Sequence, residues 1–246
     1  MKNILDKKIK NFKQTLGLEV VDACSVESFL DELLYLIHND TKYKTKKFNV
    51  HNFCGNDKLR PMLMGVYHEE GYKVATNAIT LVCHKETYDT QYEGKTITKD
   101  GEILNVKYPN AEYVNYKGVV PKKEVRERMT KKTLDKKVLG DIFADYSKLK
   151  KVKVINKKNP FDCVVKVETK ENPIYFNINE FEKIYSYMCE TDNFTLYVPN
   201  NIDKDGIISI VDNADAGFAL ICAYRFDEDK YKYVPNKDDF YKVYEV

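Results

Sequence analysis

Four histidines, six cysteines and scattered carboxylates are the side chains of this chain with the chemistry to make or break bonds. The histidines are His38, His51, His68 and His84, and no pair has the HExxH spacing that sets two imidazoles on one helix face around zinc. His68 and His84 fall in strand-like runs that let them approach each other across a sheet, with Cys83 beside them. The expectation is isolated surface histidines and no metal site. The cysteines are Cys24, Cys54, Cys83, Cys163, Cys189 and Cys222, with no CxxC pair. Most sit in apolar stretches such as Leu220-Ile221-Cys222-Ala223, which predicts buried free thiols rather than a disulfide framework. GxSxG, GxxxxGK[ST] and GxGxxG are all absent, and ten glycines leave little scope for a phosphate-cradling loop. Carboxylate pairs such as Glu69-Glu70 sit on turns, where solvation accounts for them. No catalytic residue and no cofactor is expected, although a constellation assembled only in space leaves no such mark.

The elements that would position these residues are those of a folded α+β protein. Hydrophobic residues make up 43% of the 246 and charged residues 32%, which suits a packed core and not disorder. The 19 tyrosines suit half-buried strands, with an apolar ring and a wet hydroxyl. The net charge of +2 names no partner. No apolar run spans a bilayer, and the basic stretch Met1 to Lys13 lacks a secretory apolar core, so a cytoplasmic location and no membrane partner are expected.

Residues 1–14 read as a short helical lead-in. Ser25 caps a helix to His38 with an apolar stripe of Phe29, Leu30, Leu33, Leu34 and Ile37. A lysine-rich connector, Lys42 to Lys47, follows. Strands are expected at Arg60–His68, Tyr72–Thr76 and Ile79–His84, with Glu69-Glu70-Gly71 as a hairpin turn, and again at Lys95–Lys99 and Glu102–Lys107 around Asp100-Gly101. From Lys117 to Lys158 there are 15 Lys/Arg against 5 Asp/Glu, so this stretch is strongly basic. Within it Leu134, Val138, Ile142 and Tyr146 recur every four residues, a helix with one buried face that leaves Lys132, Lys136 and Lys137 outside it. The boundary between two halves is placed between residues 115 and 130. Beyond it, strands at Val164–Val167 and Ile174–Asn177 lead to a helix capped by Asn179, with Phe181, Ile184, Tyr185 and Met188 inward. Strands at Phe194–Val198, Gly206–Asp212 and Phe218–Phe226 follow, the last with Phe218, Leu220, Cys222 and Tyr224 on one side. The acidic, tyrosine-rich tail from Asp227 either forms an edge strand or hangs free.

Two passages resemble the bacterial DNA polymerase III sliding clamp (beta subunit) family in a divergent two-domain form. The first is Arg60-Pro-Met-Leu-Met-Gly-Val-Tyr67, then Gly71-Tyr-Lys-Val-Ala-Thr76 and Leu81, with Lys107-Tyr-Pro-Asn110 and Val119-Val-Pro121 further on. The second is Tyr175-Phe-Asn-Ile-Asn-Glu-Phe181, its helix, and the three strands ending at Tyr224-Arg225-Phe226. Together they cover about half the chain, and their order carries more than any one piece. The chain departs from the family where Asn77-Ala-Ile-Thr80 replaces a His-Arg motif, where Asn110 to Val119 is longer, where a tail follows Phe226, and in having length for two domains rather than three.

The resemblance implies two DNA-clamp-like domains, 1–118 and 119–246 with a polar tail, each with helices packed on curved antiparallel sheet. It implies a non-enzymatic protein that associates with duplex DNA without regard to sequence, through Lys131, Lys132, Lys136, Lys137, Lys148, Lys150 and Lys151. Three two-domain chains would complete a homo-oligomeric ring. It also implies a partner-peptide groove at Val119, Val120, Tyr224 and Phe226, for a polymerase or other replication proteins. A clamp-fold interaction module that does not encircle DNA is the second reading, favoured by the missing His-Arg motif and the tail. An enzyme of unknown class is the third.

Overall fold

The computed structural model describes residues 47–153, 162–190, 194–213, 216–232 and 241–246. The expected helices at 1–14 and 25–38, with Cys24 and His38, lie outside the described residues. The chain order is a 3-10 turn at Val50–Phe53, a second at Pro61–Met64, then β1 (Val66–Glu69), β2 (Tyr72–Thr76), β3 (Thr80–Lys85), β4 (Thr96–Ile97), α1 (Leu104–Lys107), α2 (Lys123–Arg128) and β5 (Thr130–Lys132). There follow α3 (Lys136–Lys153), β6 (Asp162–Val167), β7 (Ile174–Asn177), α4 (Ile178–Cys189), β8 (Thr195–Val198), α5 (Ile202–Asp205), β9 (Ile208–Asn213), β10 (Gly217–Cys222), α6 (Glu228–Lys232) and β11 (Tyr241–Glu245).

Helices and largely antiparallel sheet make this an α+β protein. Eight strands form one antiparallel sheet in the order β4-β1-β2-β3-β10-β9-β8-β5. Its two quartets, one from each side of the 118/119 position, meet where β3 pairs with β10 from Thr80↔Ile221 to His84↔Gly217. A smaller sheet has the order β11-β6-β7, with β11 parallel to β6. The tail from Asp227 therefore returns as a strand and does not hang free.

Local chemistry accounts for the turns. Glu70 and Gly71 both adopt positive φ, the two-residue geometry that matches strand twist between β1 and β2. Between β2 and β3, Ala78 has φ 73, and Asn77 Oδ1 accepts from the backbone N–H groups of Ile79 and Thr80 to hold it there. Asn177, not Asn179, caps α4, its side chain accepting from the Asn179 N–H, because the strand β7 ends there and frees the amide side chain.

The large sheet buries both faces. One face carries Val66, Ala75, Val82, Val211, Ala219 and Ile221 against Phe181, Ile184, Tyr187 and Met188 of α4 and against Val50 and Phe53. The other carries Val74, Leu81, Cys83, Ile210 and Leu220 beneath Tyr113, Tyr116 and Val120. In β10 the fully buried residues are thus Ala219 and Ile221, opposite in parity to the expected Phe218 side, because α4 covers that face more completely. Phe176 and Val165 of the small sheet complete the core around α4, leaving that helix almost enclosed.

Three expected elements differ. Pro61 starts a 3-10 turn, so the strand of the 60–68 region shortens to β1. Leu104–Lys107 is a helical turn and not a strand, with Leu104 buried. Helix α3 begins at Lys136, so Leu134 precedes it, and Val138 points outward at 43% exposure. The inner face is Leu139, Ile142, Phe143 and Tyr146, a 3–4 spacing that a strict four-residue repeat misses. Phe143 stacks on Phe181 and Tyr185 of α4, at 6.5 and 5.0 Å between centroids.

Candidate protein-docking groove

A cavity of about 230 Å³ opens where the two strand quartets meet. One wall is the β2–β3 hairpin end, Thr76 to Leu81; the second is the Val114–Val119 connector; the floor is Ile208, Leu220 and Cys222. Ile79, Val114 and Val119 are 47%, 41% and 46% exposed, and Ile207 beside them is 43% exposed. Large apolar side chains are thus gathered at one place on the surface and not scattered singly.

Hydrogen bonds pin both walls. On the hairpin side, Thr76 Oγ1 donates to the Thr80 carbonyl at 2.7 Å, and Asn77 Nδ2 reaches Glu180 Oε2 on α4 at 2.9 Å. The Cys222 N–H donates to the Ile79 carbonyl at 2.9 Å, tying the hairpin to β10. On the connector side, the Tyr113 hydroxyl donates to the Val74 carbonyl at 3.2 Å and its ring stacks on Tyr67 at 4.8 Å. The Tyr116 hydroxyl donates to Glu69 Oε2 at 2.6 Å, and Lys117 pairs with Glu69 and Glu70, both at 3.1 Å. The Tyr116 hydrogen bond holds the Glu69 carboxyl below its ordinary range, while burial and the same contact push the Tyr116 phenol up.

The polar groups of the lining are already engaged within the fold. The Thr76 and Thr80 hydroxyls are already spent on Thr80 and Asn77, and burial raises the Cys222 thiol away from the reactive thiolate. Arg60 at the rim is held by Asp57 at 2.7 Å. Burial likewise pushes Cys54 and Cys83 up to about 12.

Of the residues expected in a groove, Val119 stands in the wall and Val120 packs beneath it. Tyr224 and Phe226 lie elsewhere: the Tyr224 N–H bonds the Tyr175 carbonyl at 2.7 Å, and Phe226 sits 5.4 Å from the Tyr175 ring and 6.0 Å from Tyr241. Chain direction explains this, because the polypeptide leaves the sheet after Cys222 to cover β7. Sequence reading missed Ile79, Ile208 and Leu220. The signal was Asn77-Ala-Ile-Thr80, a tight turn with an isoleucine no core needs.

The expected DNA-facing lysines divide. Lys137, Lys148 and Lys151 are exposed and, at about 100° per residue, fall on the side of α3 away from its core. Lys136 is half-buried, and the Lys150 ammonium lies 5.8 Å from the Tyr146 ring, toward α4. Lys131 and Lys132 are on β5, with Lys131 5.5 Å from the Tyr197 ring. Helix α4 offers no matching row: Lys183 is bound to Glu180 at 2.8 Å, and Glu180 and Glu182 add negative charge on this helix. Of the histidines expected to stand apart on the surface, His51, His68 and His84 instead line one cavity, with His68 buried and the other two half-buried.

Fold and groove together describe an α+β chain with an apolar surface groove at the meeting of two strand quartets. No family model matches the chain, and no curated protein matches it. Among solved structures, the DNA polymerase III beta subunit of Thermotoga maritima is similar at 17% identity and a TM-score of 0.43, covering 72% of this chain. The matched part spans 62% of that protein's length. No helix among the described residues is long and apolar enough to cross a membrane.

Proposed function

We propose that this chain is a non-enzymatic, clamp-like binding module that takes an extended apolar segment of a partner protein in the groove between its two strand quartets. The observation that carries this is the exposure of Ile79, Val114 and Val119 on walls that hydrogen bonds hold open. A preformed apolar slot needs little ordering when a peptide enters, which favours affinity from a small contact area. Polymerases and other replication proteins are the partners that the clamp resemblance suggests. The test is a selection of linear peptides on the intact chain. Peptides with two or more large apolar residues should emerge, and Ile79→Asp or Val119→Asp should weaken them at least about tenfold with an unchanged thermal midpoint. A selection whose peptides ignore both substitutions overturns the reading.

A second reading, sequence-independent association with duplex DNA by a homo-oligomeric ring of domains 1–118 and 119–246, rests on α3. Its Lys137, Lys148 and Lys151 share one exposed side over about 20 Å of helix, a spacing that can follow phosphates. Binding that falls steeply with salt supports it; a flat salt response removes it.

A further inference from the structure

Three of the four histidines meet at a cavity of about 660 Å³. The antiparallel register sets His68 opposite Lys73, and Lys73 opposite His84. The three side chains therefore form a row on one face of β1, β2 and β3, with strands about 4.8 Å apart. It is the face that carries Val66, Ala75 and Val82, and the Val50–Phe53 turn lies over it, anchored by Val50 and Phe53. That turn brings His51 to the same cavity.

The row is tightly set. His68 is buried, its Nδ1 3.2 Å from the Lys95 carbonyl oxygen and its ring edge-on to Tyr88 at 4.8 Å. The His84 ring meets Phe48 at 5.0 Å and Tyr187 at 6.0 Å. The Nδ1 atoms of His51 and His84 are buried with no hydrogen-bond partner among the described residues. The charges facing the cluster come from every element around it: Lys47 before the turn, Lys73 on β2, Glu86 after β3, Asp89 and Glu93 in the next turn and after it, Lys99 after β4 and Glu190 at the end of α4. Three are positive and four negative, and Lys73 is bound to Glu86 at 2.7 Å. With neutral imidazoles the surroundings carry one excess negative charge, so Glu86, Glu93 and Glu190 offset a first proton, whereas further protons stand beside Lys73 and one another. A metal does not fit this set: no three ligating side chains among the described residues reach one point, and Lys73 occupies the middle of the row.

We propose that the His51–His68–His84 cavity is a proton-operated latch, in which protonation of the cluster releases the Val50–Phe53 turn from the β1–β3 face. Cross-strand like charges repel, and here three cations in a row would face a fourth under a lid of apolar residues. Burial, with the charge of Lys73, holds all three imidazoles below their ordinary range. A histidine lowered in the closed form binds its proton in the open form first. The closed form is thus unaffected above pH about 6.5 and loses ground as pH falls below it, by up to about tenfold per unit per histidine.

The experiment is hydrogen exchange by mass spectrometry on the intact chain, following peptides over Phe48–Cys54 at pH 7.5, 6.5 and 5.5 with intrinsic rates corrected. Protection should fall at least tenfold between pH 6.5 and 5.5, return on neutralisation, and stay level in the triple variant His51→Gln, His68→Gln, His84→Gln. Equal protection at all three pH values, or the same loss in the triple variant, overturns the latch. If the triple variant does not fold, a proton titration of the wild-type imidazoles by NMR decides: one coupled transition below the ordinary range supports the latch, and three independent ordinary titrations overturn it.

Discussion

Single atoms set the tolerances of the seam between the quartets. Gly217 has φ 108, and a Cβ there would stand 2.0 Å from the Cys83 carbonyl oxygen. Gly217→Ala must therefore strain its own backbone and push β3 away from β10, and should cost at least about 2 kcal/mol in denaturant unfolding. Tyr116 acts on the connector through one hydroxyl. Tyr116→Phe should cost about 1 kcal/mol and let the Glu69 carboxyl rise toward its ordinary value, read by NMR titration of that carboxyl. Asp145 is also held low, by Lys242 first and with help from the Tyr244 hydroxyl. Stability from Glu69 and Asp145 is complete above their unfolded values and fades as pH falls through the lower folded ones, so Glu69→Gln should flatten part of the acid limb below pH about 4.

At the scale of elements, α4 carries the fold and α3 leans on it. Phe181 is fully buried, with Phe143 and Phe176 stacked against it; Phe181→Ala should cost about 3–5 kcal/mol. Asn177→Ala removes the cap of the same helix and should cost about 1 kcal/mol, whereas Val138→Ala on the outer side of α3 should be nearly neutral, both read from unfolding midpoints. Periodicity made α4 legible because its inner residues follow a clean helical stripe with an asparagine ahead of it. It mistook the face of α3 because Leu134, outside the helix, is also buried and lent a false four-residue rhythm. Strands β6 to β10 of the second half were readable to within two residues at their starts, whereas β5, a three-residue strand of polar side chains, was not read as a strand. The 3-10 turn at Pro61–Met64 was not, since its apolar run has the same composition as a strand. The approach of His68 and His84 was legible from their strand-like runs, but the groove, and the place of Lys73 between the two histidines, were hidden for a different reason: register, which no local pattern prints, decides both.

For the molecule as a whole, the question is which surface meets the outside world. The groove is apolar and preformed, while the positive side of α3 is narrow and has acidic groups on α4 for a neighbour. Charge reversal at Lys137, Lys148 and Lys151 should leave peptide binding in the groove unchanged and should abolish any salt-sensitive DNA binding. Light scattering decides whether a ring is present at all.

The pairing of Leu81 with Leu220 has a consequence for how the chain is made. The first four strands can zip together soon after they leave the ribosome, yet β3 then exposes a bare row of amides and carbonyls to the cell. Only when β10 is extruded, about half a chain later, is that rim sealed. Until then the nascent protein presents an adhesive border. Slow synthesis or truncation before Gly217 should send it into aggregates, even though every residue of the N-terminal quartet is already in place.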